Sequence, residues 1–236
     1  MPHFFTEKNQ ARQMWHARFN STERYQTVMK NYYRMANEVD ATSHVLVQEL
    51  EKQGVLNNTL VIFTTDNGYF HSEHGLANKQ YPHQESIRVP LIIRDPRMPP
   101  EKKGTVNDDF TLSIDLAPTL LSAAGISPPK RVQGRDISEL YRGEMAQSLR
   151  ANPWRTEFYY EFPGVNRRPP EEACPCEALV RKDFKLMNWT FHGQEQLFHL
   201  EKDPWELDDV IAKETQHGEV LAQMRQRLQE LREAAK

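Results

Sequence analysis

Thr59-Leu60-Val61-Ile62-Phe63-Thr64-Thr65-Asp66-Asn67-Gly68 decides how this 236-residue chain is read. Its first seven residues are apolar on both faces and rich in β-branched and aromatic side chains. That is the pattern of a strand buried inside a parallel sheet. Asp66-Asn67-Gly68 then breaks the strand with a turn signal. Upstream, Tyr25, Val28, Met29, Tyr32, Ala36, Val39, Leu46 and Leu50 fall at helical spacing and predict a long amphipathic helix over residues 22–50. Ser21 or Thr22 can cap its start, and Gly54 stands where a C-cap is wanted. Downstream, Arg88-Val89-Pro90-Leu91-Ile92-Ile93-Arg94 reads as a second buried strand, with no strong period across 69–86. Residues 115–125 read as a short helix, with Pro118 in its first turn and Gly125 ending it.

The pattern changes after about residue 150. Short antiparallel strands are expected at 156–162, 178–182, 184–189 and 196–200. A Pro- and Glu-rich loop is expected at 163–177. A polar helix over 214–234 carries apolar positions at Val220, Leu221, Met224, Leu228 and Leu231. Residues 1–20 are polar without a clear period. Helix and strand first, meander and helix second, predict an α/β layer over residues 1–150 and a small α+β subdomain over 151–236.

Composition removes several classes of function. Thirty Lys+Arg against 33 Asp+Glu give a formal charge of −3, so a phosphate-driven nucleic-acid binder is not expected. No apolar run is long enough to span a membrane, and the first residues do not form a signal peptide. The mean hydropathy is −0.76, yet four Trp, eight Tyr and eleven Phe can build a core. Cys174 and Cys176 are two residues apart, too tight for an ordinary disulfide, and no second pair completes a metal site.

Chemistry concentrates after the first strand. Asp66 and Asn67 offer a carboxylate and an amide oxygen, hard donors suited to Ca²⁺ or Mg²⁺, at the strand end where α/β sheets hold ligands. A strand ending in Asp-Asn-Gly is also an ordinary turn. The loop that follows carries His71, Glu73, His74, Lys79, His83, Glu85 and Arg88. His71 and His83 read as solvated loop residues. Glu85 and Arg88 read as a structural pair anchoring the second strand.

These blocks, in their joint order, resemble the second half of a type I sulfatase, a formylglycine-dependent family with an alkaline-phosphatase-like α/β fold. The likeness runs from the strand ending in Asp66-Asn67-Gly68 through Glu73-His74-Gly75-Leu76, Lys79 and Glu85-Ser86-Ile87-Arg88-Val89-Pro90. It continues through Asp115-Leu116-Ala117-Pro118-Thr119, Gln133-Gly134-Arg135 and Ala178-Leu179-Val180-Arg181-Lys182. It ends at Gln196-Leu197-Phe198-His199-Leu200 and Asp203-Pro204-Trp205-Glu206-Leu207, covering roughly residues 22–230. The fold implied is part of a mixed sheet flanked by helices, followed by an α+β C-terminal subdomain with an antiparallel sheet.

The resemblance also implies chemistry. Asp66 and Asn67 match two ligands of a divalent cation, most often Ca²⁺, that polarises the sulfate. Lys79 matches the lysine that neutralises a sulfate oxygen, and His74 lies in a recurrent block of the active-site loop. The nucleophile is a formylglycine made from Cys or Ser in a C/S-x-P-x-R motif. The run Cys174-Pro175-Cys176-Glu177-Ala178 does not supply it, so the nucleophile is expected in a missing N-terminal half. The implied substrate is a sulfated carbohydrate or another sulfate ester, with no nucleic acid and no membrane span. Two alternatives stand beside this reading. One is a catalytically inactive truncated product that binds sulfated glycans or a partner; the other is a parent phosphate or phosphonate ester hydrolase. Family habit places such proteins in secreted, lysosomal or periplasmic compartments. Sequons at Asn20, Asn57 and Asn188 add weak support for that route.

Overall fold

A computed structural model describes residues 2–142, 153–164, 169–212 and 214–235. The helices are α1 (Gln10–Arg18), α2 (Thr22–Lys52), α3 (Gln84–Ile87), α4 (Leu116–Ala123), α5 (Pro170–Ala173) and α6 (Glu214–Ala234). The strands are β1 (Val61–Thr64), β2 (Phe70–His71), β3 (Ala77–Asn78), β4 (Leu91–Arg94), β5 (Glu157–Phe162), β6 (Cys176–Arg181), β7 (Phe184–Trp189) and β8 (Gln194–His199). They form two compact units. One gathers Met1–Ala36, Asn67–Val89 and Glu157–Lys236; the other gathers Asn37–Asp66 and Pro90–Thr156. The expected boundary near residue 150 lies outside the described residues.

The first unit is built on an antiparallel sheet in the order β5-β6-β7-β8. Both faces of its centre are covered, so β6 and β7 are buried almost throughout. On one face Leu179, Leu186 and Leu197 pack with Leu221, Met224 and Leu228 of α6. On the other, Trp189 meets Phe5 and Tyr81 at ring-centroid distances of 5.1 and 5.4 Å. The expected strands and final helix are present. Cys176 and Glu177 were expected in a loop, but they pair with Phe162 and Glu161 as the start of β6. The apolar alternation that marks this strand begins only at Ala178, which hid its first two residues. Helix α1 was also unread: it is short, buries only Ala11, and is started by Asn9, whose side chain accepts the amides of Ala11 and Arg12.

In the second unit β1 and β4 pair antiparallel, with Val61 opposite Arg94 and Thr64 opposite Leu91. This corrects the parallel expectation. A parallel return needs a crossover element, commonly a helix, and the only α-helix between these strands is the four-residue α3. The strands are not fully buried either: Phe63 is 37% and Ile92 63% exposed. Helix α2 spans its predicted range, with Ser21 Oγ accepting the Arg24 amide and Gly54 at φ +72° after its end. It buries none of its residues, so its apolar stripe is a surface feature.

Buried carboxylates tie the second unit together. Asp115 accepts the Leu112 and Arg135 amides at 2.7 and 2.8 Å and pairs with the Arg155 guanidinium through both oxygens. Asp95 accepts Arg97 Nε at 2.8 Å and Tyr141 Oη at 2.8 Å. Burial alone would raise the Asp95 pKa, but these donors outweigh it and hold the carboxyl at about 2.

Asp95 therefore titrates lower in the folded than in the unfolded state, where a carboxyl titrates at about 3.9. Its contribution is complete above that value and is lost as pH falls through about 2. We expect Asp95→Asn to remove about 2 kcal/mol of stability at neutral pH. We also expect it to flatten the acid limb below about pH 4 in denaturant titrations. An Asp95→Asn variant that kept the wild-type slope in that window would refute the assignment.

Candidate functional site

The site residues of the first unit lie on the β2–β3 hairpin and its flanks. Gly68 donates its amide to Ser86 O at 2.8 Å. A Cβ at Gly68 would fall 2.0 Å from the Glu85 carbonyl oxygen, so only glycine permits this approach to α3. Asn67 is thereby set beside Lys79, whose Nζ donates to Asn67 Oδ1 at 2.6 Å. Both side chains are half-buried.

Backbone strain is concentrated around this lysine. Ser72, His74, Asn78 and Gln80 all have positive φ, at 99°, 53°, 85° and 94°. Two of them flank Lys79 directly. Each such residue costs on the order of 1–3 kcal/mol and persists only where its surroundings over-determine it. The surroundings do so here. Trp15 Nε1 donates to Ser72 Oγ at 2.9 Å, and an Arg12 guanidinium N–H donates to Gly75 O at 2.6 Å. The Gln80 amide donates to Ser86 Oγ, and Tyr160 Oη donates to Gln80 O, both at 2.9 Å. The His71 amide donates to Glu73 Oε2 at 2.5 Å. The tethers from α1 and β5 are long-range and none is visible in local sequence; only the polar density of the loop hinted at them.

The histidines divide by burial. His74 Nε2 lies 3.5 Å from Glu85 Oε2, with both side chains largely enclosed. At that separation the contact is electrostatic, too long for a well-formed hydrogen bond. Burial raises the Glu85 pKa, but His74 and a backbone hydrogen bond outweigh it, for a net lowering. Glu85 thus faces His74, whereas Arg88 is exposed, which replaces the expected Glu85–Arg88 pair. His83 is buried, not solvated as expected, with its ring 4.5 Å from that of His74 and 5.5 Å from Phe70. Burial, reinforced by His74 and Lys185, holds its pKa well below the ordinary value. His71 is half-buried against Tyr32, with ring centroids 4.3 Å apart. Burial lowers its pKa against the pull of Glu73.

Asp66 is exposed at the end of the β1 segment, its Oδ1 accepting Thr65 Oγ1 at 3.2 Å. Asp66 and Asn67 supply two hard oxygen donors. Calcium takes about six to eight, and among the described residues no group of three or more His, Cys, Asp or Glu could hold a metal ion. These two residues alone do not make the calcium site that the resemblance implies.

The sequence also holds a literal match to the nucleophile pattern outside the blocks that carry the resemblance: Ser127-Pro128-Pro129-Lys130-Arg131. All five residues are exposed, on coil and turn after α4. Among the described residues no general base is hydrogen-bonded to Ser127.

Residues 72–234 match the family model described as N-sulphoglucosamine sulphohydrolase, C-terminal, and residues 1–126 match the model described as Sulfatase. An N-acetylglucosamine-6-O-sulfatase of Bacteroides thetaiotaomicron is 31% identical over 192 residues, covering 80% of this chain and 33% of that protein. A solved protein in complex with its substrate D-glucosamine-2-N,6-O-disulfate superposes with a TM-score of 0.79 at 28% identity, over 89% of this chain and 41% of that one. The phosphonate monoester hydrolase of Agrobacterium radiobacter gives 0.78 at 27% identity, over 91% and 43%. The chain spans about a third of the length of the curated relatives it matches.

Two substitutions test the geometry of the hairpin. Gly68→Ala should destabilise the chain by at least about 2 kcal/mol, because the new methyl meets backbone. Gln80→Gly should be neutral or stabilising by up to about 1 kcal/mol, because it relieves a positive φ. Chemical denaturation reads both, and equal effects would contradict the described backbone.

Proposed function

The chain belongs to the sulfatase family, and from that premise we propose that it is the C-terminal part of an enzyme hydrolysing sulfate esters on carbohydrates. The single observation that carries the reading is the Lys79 ammonium, fixed on Asn67 within a hairpin whose strain is held by long-range tethers. A cation fixed before the reaction stabilises charge on a sulfate oxygen without reorganising as that charge builds. Lys79 binds that oxygen. Asn67 orients the ammonium, and with Asp66 offers two donors toward a divalent cation, calcium above all, that would polarise the sulfate when bound. His74, set by Glu85, lines the same loop. The remaining cation ligands and the formylglycine are assigned outside these 236 residues, since Ser127 is exposed and no base is bonded to it among the described residues. Support for a sulfated amino sugar comes from the names of the relatives: an N-acetylglucosamine-6-O-sulfatase, and a protein bound to a disulfated glucosamine. The similarity to a phosphonate monoester hydrolase favours a second reading, in which the same cations receive a phosphonate ester.

We expect the 236-residue chain alone to give no turnover of N-acetylglucosamine 6-sulfate or of an aryl sulfate. Joined to the part of the Bacteroides relative that lies outside the matched third, it should turn over the sulfate ester. In that hybrid Lys79→Ala should lower kcat/KM by roughly 10²–10³. A hybrid active on an aryl phosphonate but not on the sulfates would favour the second reading. Intact mass should show no loss of two hydrogens at Ser127 after co-expression with a formylglycine-generating enzyme. Turnover by the chain alone, abolished by Ser127→Ala, would overturn the assignment of the nucleophile.

A further inference from the structure

Two ionisable side chains lie fully buried at positions that the proposed reaction does not use. Lys185 stands in β7, on the sheet face opposite α6. Glu206 stands in the turn Asp203-Pro204-Trp205-Glu206-Leu207, with a φ of +56°. Their ammonium and carboxylate are in direct contact. Burial pushes Lys185 down and Glu206 up, so each charge depends on the other. A buried pair of this kind is weak evidence for stability, because well-packed apolar residues often do as well.

The second contact of each partner sets this pair apart. Lys185 Nζ donates to Pro82 O at 2.7 Å, and Glu206 Oε2 accepts the Gln84 amide at 2.8 Å. The pair therefore grips the backbone on both sides of His83. Pro82 has no amide of its own, and Gln84 opens α3, where its N–H has no intrahelical acceptor. Apolar replacements would leave that donor and that carbonyl buried without partners. His83 packs its ring on His74, and the next residue after Gln84 is Glu85, which faces His74.

We propose that Lys185 and Glu206 are positioning residues that clamp residues 82–84 and so set the contact of Glu85 with His74, which lies in the turn of the β2–β3 hairpin. Its catalytic consequence rests on the sulfatase reading above; the clamp itself does not.

The test uses the 236-residue chain, with amide hydrogen exchange and histidine ring signals by NMR. Lys185→Met with Glu206→Leu should speed exchange at Gln84 at least tenfold and shift the His74 and His83 ring signals. The amides of Leu179 and Leu186 should keep their protection. The charge swap Lys185→Glu with Glu206→Lys keeps an ion pair but inverts donor and acceptor, so it should show the same local loss. Glu206→Gln retains an acceptor for Gln84 and should keep the protection that Glu206→Ala loses; this comparison decides the matter if the double variants do not fold. Wild-type exchange at Gln84 in either double variant, equal exchange in Glu206→Gln and Glu206→Ala, or protection lost equally across the sheet would overturn the clamp. No readout uses a substrate, so a failed sulfatase reading would leave these outcomes intact.

Discussion

A lysine on a surface loop is ordinarily a hydrated point charge on a flexible stem, and ordering it costs side-chain entropy. Lys79 is held instead by two constraints that reinforce one another. Its Nζ is fixed on Asn67 Oδ1. Its backbone is bracketed by Asn78 and Gln80, both at positive φ. Strain in the bracket would relax by moving the lysine, and the tethers from Trp15, Arg12, Ser86 and Tyr160 prevent that movement. These tethers come from α1, α3 and β5, elements far apart in sequence but within one compact unit. Folding of that unit is thus what sets the charge in place.

This explains which features were legible in the sequence. The bounds of α6 follow from local periodicity, since it presents one face to an apolar core, and those of β7 from a short apolar run bounded by polar residues. The identity of Lys79, His74, Asp66 and Asn67 as candidates also came from local blocks. Pairing direction did not: a run apolar on both faces fits a buried parallel strand and a partly exposed antiparallel one equally well, and only the tertiary path separates them. Nor did the burial of His83, because nothing in its own segment shows that its neighbours in space are Phe70, His74 and Trp189. The helical turn of α3 and the start of β6 are likewise set by partners that local reading does not contain.

Ser127-Pro128-Pro129-Lys130-Arg131 shows the opposite case, where a pattern matches and its surroundings do not support it. A nucleophilic hydroxyl or formylglycine needs a base, an anion cradle and exclusion of water around it. Residues 127–131 are exposed. The Lys79 ammonium, by contrast, is fixed on Asn67 within a tethered hairpin, although no short motif marks those tethers. Placement therefore weighs more than pattern in assigning roles within this chain.

The same argument extends to the buried charges. Asp95 and Asp115 satisfy nearly all their hydrogen-bonding capacity with arginine, tyrosine and backbone amides, as a structural carboxylate should. Lys185 and Glu206 differ, because each spends one contact on its partner and one on the backbone beside His83. A pair that served only the core would gain nothing from reaching into residues 82–84, and the positive φ of Glu206 would be strain without return. Both features follow if the sheet and the turn after β8 must hold one loop in one position. The Asp-Pro-Trp-Glu-Leu turn is then part of how the C-terminal sheet supports the site loop, rather than a peripheral connection.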